Sequence, residues 1–182
     1  MLRGELIGLR ALTAEDLAVL QQEVFNDVEL MLSASRGGWR PRSLADIQDQ
    51  HGVGHAGKED PTTVRFAVEE LSNGEFAGSA QLWGIDTHNR SAHLGLSLRP
   101  NLRGRGLGVD TIRTLCDYGF RVHGLHRLQA ETLAANTAAR TATEAAGFIL
   151  EGQLRRNTWA GGDFVDEVVY GLLAHEWANS RT

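Results

Sequence analysis

The chain has 182 residues, 42% of them hydrophobic, with three prolines, a single cysteine and a formal net charge of −5. That length supports one domain, residues 1–182, around a real core; the acidic balance argues against a general nucleic-acid binder, and a lone cysteine excludes an internal disulfide. No apolar run approaches the roughly 20 residues that cross a bilayer, and Met1-Leu-Arg-Gly-Glu5 lacks a signal-peptide core, so no membrane partner and a cytoplasmic setting are expected.

The first predicted strand covers residues 6–11, and Thr13 with Asp16 forms a capping pair that opens a helix to about Phe25. Residues 26–60 are less regular: 36–41 reads as a loop, 43–50 as a helix and 51–61 as a link. Strands over 63–71 and 75–85 are joined at Ser72-Asn73-Gly74, where Asn-Gly supplies the positive φ angles of a tight hairpin. After a turn at 87–90, Leu94, Leu96 and Leu98 alternate with Gly95 and Ser97 as in a half-buried strand, which Pro100 ends. A glycine-rich turn leads into a helix with the apolar stripe Val109, Ile112, Leu115, Cys116, Gly119 and Phe120, which makes Cys116 a buried structural thiol. Residues 127–133 form a strand, Asn136 opens a helix ending at Gly147-Phe148, and two closing strands follow. The fold class is α/β (α+β), with a three-stranded antiparallel meander followed by helix, strand, helix and two strands.

The segment Arg103-Gly-Arg-Gly-Leu-Gly-Val109 joins strand to helix. Glycines there let the backbone turn tightly and bring successive N–H groups to an anion at the positive end of the helix dipole. A Walker loop requires Lys-Ser/Thr after its last glycine, but Val109-Asp110 follow Gly108. A dinucleotide fingerprint counted from Gly104 places Val109 where its third glycine belongs. The remaining pattern, Arg-x-x-Gly-x-Gly at Arg103, Gly106 and Gly108, resembles the acetyl-CoA pyrophosphate loop of the GNAT superfamily of N-acetyltransferases. The order Asn136 then Gly147-Phe148 is similar to that family's second CoA-contacting segment. The tail, with Glu151-Gly152, Leu154-Arg155, Gly162 to Asp166 and Glu176-Trp177, resembles the Rim-type branch (RimJ/RimL-like), which acetylates ribosomal-protein N-termini.

The resemblance implies a mixed, mostly antiparallel twisted sheet of about seven strands flanked by helices and splayed between the fourth and fifth. Acetyl-CoA would be the donor and a primary amine the acceptor, and the protein is expected to be a homodimer. Leu96, Ser97 and Leu98 would pair with the pantetheine arm; Arg103, Gly104, Arg105, Gly106, Leu107, Gly108 and Val109 would hold the diphosphate, and Asn136 would contact the pantetheine. Where many relatives place the tyrosine acid this chain has Thr143, where some Rim-type enzymes have serine it has Ala139, and Thr158 stands in the place of a glutamate base.

Glu131, on the strand beside the splay, is the leading base candidate, read otherwise as the partner of an arginine. Ser97 is a second catalytic candidate, read otherwise as a hydroxyl bonded within the sheet, and His93 on the same face is a weaker proton relay. His51 and His55 have i,i+4 metal spacing, but Gly52 and Gly54 undermine a helix and no third ligand is evident, so no metal is expected. Trp39, Trp83 and Trp159 are candidates to line an acceptor pocket, and Asp86, Glu131 and Asp163 to attract a cationic amine. The residues alone leave open a protein N-terminus, a polyamine, an aminoglycoside-like amine, or a CoA-binding sensor without turnover, and the resemblance favours a protein or peptide N-terminal α-amine.

Overall fold

A computed structural model of the chain describes residues 1–34, 38–53 and 60–179. Strands β1 (Leu2–Arg3), β2 (Ile7–Arg10), β3 (Val64–Glu70), β4 (Phe76–Asp86), β5 (Ser91–Leu98), β6 (Arg127–Leu133), β7 (Ile149–Ala160) and β8 (Asp163–Leu173) form one sheet in the order β1-β2-β3-β4-β5-β6-β8-β7. Eight strands replace the expected seven or so because Leu2–Arg3 pairs with β2, a ladder too short to show any alternation in sequence. Every pairing is antiparallel except β5 with β6, which is parallel.

The helices are α1 (Ala14–Leu20), α2 (Val28–Ala34), α3 (Leu44–His51), α4 (Leu107–Asp117), α5 (Thr137–Ala145) and α6 (Ala174–Asn179), and π-helical turns extend α1 to Phe25 and α4 to Val122. Thr13 and Asp16 make the expected capping box, and Arg10 donates to the Asp16 carboxylate at 2.6 Å. Ser43 and Asp46 cap α3 in the same way, and Gly52 at φ 67° ends it. Helix α2 was not expected. Asn26-Asp27 read as part of an irregular stretch, whereas the Asp27 carboxylate accepts the Leu30 N–H at 3.0 Å and so satisfies a donor of the first helical turn.

Strand alternation divides the apolar residues between two cores. On one face Leu82, Ala92, Leu94, Leu98, Leu128, Ala130, Tyr170 and Leu172 pack with Leu107, Ile112, Leu115 and Cys116 of α4. Leu17, Leu20, Val24 and Ile47 form the second cluster, with Phe25, Leu30 and Phe76 against it. His93, Gly95 and Ser97 have the opposite parity from Leu94 and Leu98, so they face away from α4. Cys116 is fully buried, and burial pushes its thiol well above the usual cysteine range, in keeping with a structural thiol.

Candidate active site

The site begins with a break in the sheet. Strands β5 and β6 pair only from Ser91 to His93 against Arg127 to Gln129, and beyond that point they part. This is the splay expected between the fourth and fifth strands, displaced by one in number because β1 precedes them. A cleft of about 1280 Å³ runs through the opening, lined on one side by Gly104, Gly106, Gly108 and Asn136 and on the other by Trp83, Glu131 and Trp159.

The glycine-rich turn meets the requirements for holding a diphosphate. Gly104 and Gly106 stand at φ 74° and 82°, where a side chain would be strained, and Gly106 is the N-cap of α4 with no side chain capping it. The N–H groups of residues 104–109 donate to no described residue, leaving donors open at the positive end of the helix dipole. Gly108 is required by neither φ nor packing, since a Cβ there would meet only Leu98 Cδ1 at 3.6 Å. Leu107 is instead a core residue, 2% exposed, that anchors the turn.

The two arginines of the turn are placed differently from expectation. Arg103 donates from Nε and Nη2 to the Leu98 carbonyl at 3.1 and 2.9 Å, bracing the end of β5. Arg105 is ion-paired with Glu70 at 2.6 Å. Their guanidinium groups therefore shape the turn, and the backbone supplies its free donors. Leu98 has its carbonyl occupied by Arg103 and its side chain in the core, which leaves Leu96 and Ser97 as the more open part of the strand.

Asp110, which sequence reasoning missed, ties this turn to the N-terminal strands. Its carboxylate accepts the N–H groups of Glu5, Leu6 and Ile7 at 3.1, 2.7 and 3.0 Å, while itself only 8% exposed. The available signal was an acid in the first turn of a helix that begins on glycine, with no cap residue beside it. Asn136 caps α5, accepting the Ala139 N–H at 3.1 Å through Oδ1, and its side-chain amide bonds no described residue.

Glu131 lines the cleft, but not as an isolated carboxylate. His93 Nδ1 lies 2.8 Å from Glu131 Oε1, the Gln129 amide donates to the same oxygen at 2.6 Å, and the Glu131 side chain is 7% exposed. Arg127, the arginine of the same strand, is paired with Glu151. The His93 ring stacks on Trp83 with centroids 4.2 Å apart. Ser97 lines the cleft, and its hydroxyl bonds no described residue, contrary to a role within the sheet.

Of the candidate tryptophans, Trp83 and Trp159 line the cleft, whereas Trp39 is not among its lining residues and donates to the Phe25 carbonyl at 2.8 Å. Asp86 accepts the N–H groups of His88 and Asn89 in a turn, and Asp163 pairs with Arg156, so neither reaches the cleft. His51 bonds the Ile47 carbonyl at 2.8 Å, His55 lies outside the described residues, and no cluster able to hold a metal occurs among the described residues.

Two further polar groups come from strand pairing that sequence could not reveal. Thr158 donates to Glu167 at 3.1 Å and Asn157 to the same oxygen at 2.7 Å, so a buried carboxylate stands beside the position where glutamate was missing. Thr143 and Ala139 line the cleft with Tyr170, whose hydroxyl donates to Glu144 at 2.6 Å. Burial, followed by that bond to Glu144, raises the Tyr170 phenol above its ordinary range, with Arg140 opposing.

The comparisons with known proteins agree with this geometry. The putative ribosomal N-acetyltransferase YdaF of Bacillus subtilis is 30% identical over 111 residues, 61% of this chain and 61% of that protein, which is less than two thirds of the relative's length. Spermidine N(1)-acetyltransferase of Escherichia coli is 27% identical over 172 residues, covering 94% of this chain and 88% of that one. The fold superposes on spermidine N-acetyltransferase from Vibrio cholerae, solved in complex with CoA and spermine, with a TM-score of 0.83 at 24% identity over 95% of this chain and 98% of the other. The acetyltransferase (GNAT) domain family model matches residues 7–149, in keeping with the splayed sheet and open glycine turn, and the chain belongs to that family of acetyl-CoA-using proteins.

Proposed function

We propose that this chain transfers the acetyl group of acetyl-CoA to the α-amine of a peptide or protein N-terminus. Acetyl-CoA supplies the activated thioester. The open N–H groups of residues 104–109 would hold its diphosphate, the free edge of β5 at Leu96 and Ser97 would align the pantetheine arm, and the Asn136 amide would contact that arm. An N–H of the same strand edge would polarise the thioester carbonyl as charge develops on its oxygen.

The observation that carries the choice of acceptor is the charge of the cleft. Among the described residues lining it, Glu131 is the one carboxylate, and it is accompanied by Arg65 and Arg103. A chain bearing a single amine and then a neutral backbone suits that lining; a polycation, which gains from several carboxylates, suits it less. Phe25, Met31, Trp83 and Trp159 supply apolar and aromatic surface for the residues behind the amine. A polyamine acceptor is the second reading, favoured by the likeness to spermidine N(1)-acetyltransferase over most of the chain.

The same reading has the protein work in the cytoplasm as a homodimer. Ile149, Leu154, Trp159 and Phe164 give β7 and β8 an exposed apolar surface for a second copy, which light scattering would test. For the activity, acetyl-CoA-dependent thiol release is measured with Ser- and Ala-starting peptides, spermidine and an aminoglycoside. Turnover restricted to peptides supports the proposal, whereas preference for spermidine replaces it with the second reading. Acetyl-CoA binding without turnover points to a sensor.

A further inference from the structure

We infer that His93, with Glu131 behind it, is the proton acceptor of the reaction, so that Glu131 is a positioning residue and not the base itself. The inference deepens the acetyl-transfer reading and rests on it. Both residues sit at the vertex of the splay: His93 belongs to the last pair that joins β5 to β6, and Glu131 lies two residues beyond its partner Gln129. A pantetheine arm entering from the glycine turn and running back along β5 from Ser97 ends at this vertex.

Three features hold the imidazole. Trp83 stacks on one face, tilted by 21°. Glu131 fixes Nδ1 at 2.8 Å. Gly84, at φ 60° in the bulge of β4, leaves room for the ring edge, since a Cβ there would lie 3.2 Å from His93 Cδ2. Because an ionised carboxylate only accepts hydrogen bonds, the neutral ring must carry its hydrogen on Nδ1 to make this contact. The lone pair then resides on Nε2, which bonds no described residue, in a ring flanked by two residues that line the cleft. Glu131 lines the cleft with its Oε1 engaged by His93 and Gln129 and its side chain 7% exposed, whereas the His93 side chain, set beside the lining, is 32% exposed and keeps Nε2 open.

The step balances without another reactant. The acceptor enters as a neutral amine, and its nitrogen lone pair forms the C–N bond to the thioester carbonyl carbon. The nitrogen then gives one proton to His93 Nε2, while Glu131 stabilises the imidazolium. As the carbonyl re-forms, the C–S bond breaks with its electron pair going to sulfur, and His93 returns the proton there. The products are amide and thiol, and the ring ends neutral. This also accounts for a chain with threonine and alanine at the positions of the family's usual acids, Thr143 and Ala139.

The charged groups near the ring on adjoining strands are Glu131 and Arg127 of β6 and Asp86 of β4; Arg127 is paired with Glu151 and Asp86 is turned into the 86–90 turn, so Glu131 is the ionic partner of His93. The test combines tautomer and turnover. In the ¹⁵N spectrum of the histidine-labelled protein, the neutral His93 ring is expected to be protonated at Nδ1; protonation at Nε2 overturns the inference whether or not an acceptor has been found. With a peptide that the wild type acetylates, His93→Gln should lower kcat about 10²–10⁴-fold and remove the acidic limb of its pH profile. Glu131→Gln should lower kcat and move that limb to lower pH, and imidazole should restore part of the activity of His93→Gly. Calorimetry with acetyl-CoA should give wild-type affinity for each variant, which shows that the fold is retained. A wild type that binds no acetyl-CoA sinks the acetyl-transfer reading, whereas a wild type that turns over beside a His93→Gln variant with unchanged kcat and pH profile sinks this one alone.

Discussion

Replacing Asp110 by asparagine tests how the phosphate turn is fixed to the body of the protein. The carboxylate accepts from Leu6 and Ile7 through Oδ2 and from Glu5 through Oδ1. Asparagine preserves the shape and, with its oxygen toward Leu6 and Ile7, keeps two of these bonds in weaker, neutral form while its NH₂ group opposes the Glu5 N–H. A hydrogen bond to a charged group contributes about 1.5–3 kcal/mol and one between neutral groups about 1 kcal/mol, so the expected loss is about 3 kcal/mol. For a domain of this size each kcal/mol corresponds to about 2–4 °C, placing the melting temperature of Asp110→Asn about 6–12 °C below wild type. Thermal unfolding followed by circular dichroism measures this, and calorimetry should show acetyl-CoA affinity little changed, because the donors of residues 104–109 are untouched. A fall of less than about 2 °C would refute the assignment of three working hydrogen bonds to this carboxylate.

Other substitutions separate the remaining roles. Gly108→Glu should fold normally, since the site has room for a Cβ, but lose at least about tenfold in acetyl-CoA affinity by placing an anion in the cradle; unchanged affinity would move the diphosphate elsewhere. Gly106→Ala, at φ 82°, should cost about 1–2 kcal/mol of stability, read from denaturant midpoints. Burial works against ionised Asp16, but hydrogen bonds from Arg10 and Thr13 outweigh it and hold the carboxyl below the ordinary aspartate value. Its contribution is therefore present in full above that value and is lost as pH falls through the lower folded value, so Asp16→Asn should flatten the acid limb of the stability curve. Native Cys116 should resist alkylation at neutral pH and react only on unfolding; rapid native labelling would contradict its burial.

Much of the fold was legible because local chemistry and tertiary structure agreed. Thr13-Asp16 and Ser43-Asp46 are caps in sequence and caps in space, and the leucine alternation of 94–98 survives as a core face. The glycine turn was visible for the same reason: positive φ and open donors are properties of a short segment. The partners of Arg103 and Arg105 were not visible, because the Leu98 carbonyl and Glu70 are met only when the strand end and the turn fold together. Glu131 was legible as a residue near the splay, but its engagement by His93 depends on parallel register between strands separated by α4. Glu167 escaped for a similar reason, as its approach to Thr158 follows from the register of β7 on β8, including an irregularity between Leu154 and Thr158.

The three-residue seam at Ser91–His93 makes this sheet two antiparallel blocks joined by a single short parallel ladder, one block running from β1 to β5 and the other from β6 to β8. Each block can satisfy its own backbone, but the edges exposed by their divergence cannot satisfy each other. An extended ligand laid between them would act as an inserted strand and complete a pattern that the polypeptide leaves unfinished. Slow amide exchange should then spread across the edges of both blocks only when the donor is bound, and the opening between them would be inherited from strand register rather than carved by loops, leaving the surrounding helices free to vary.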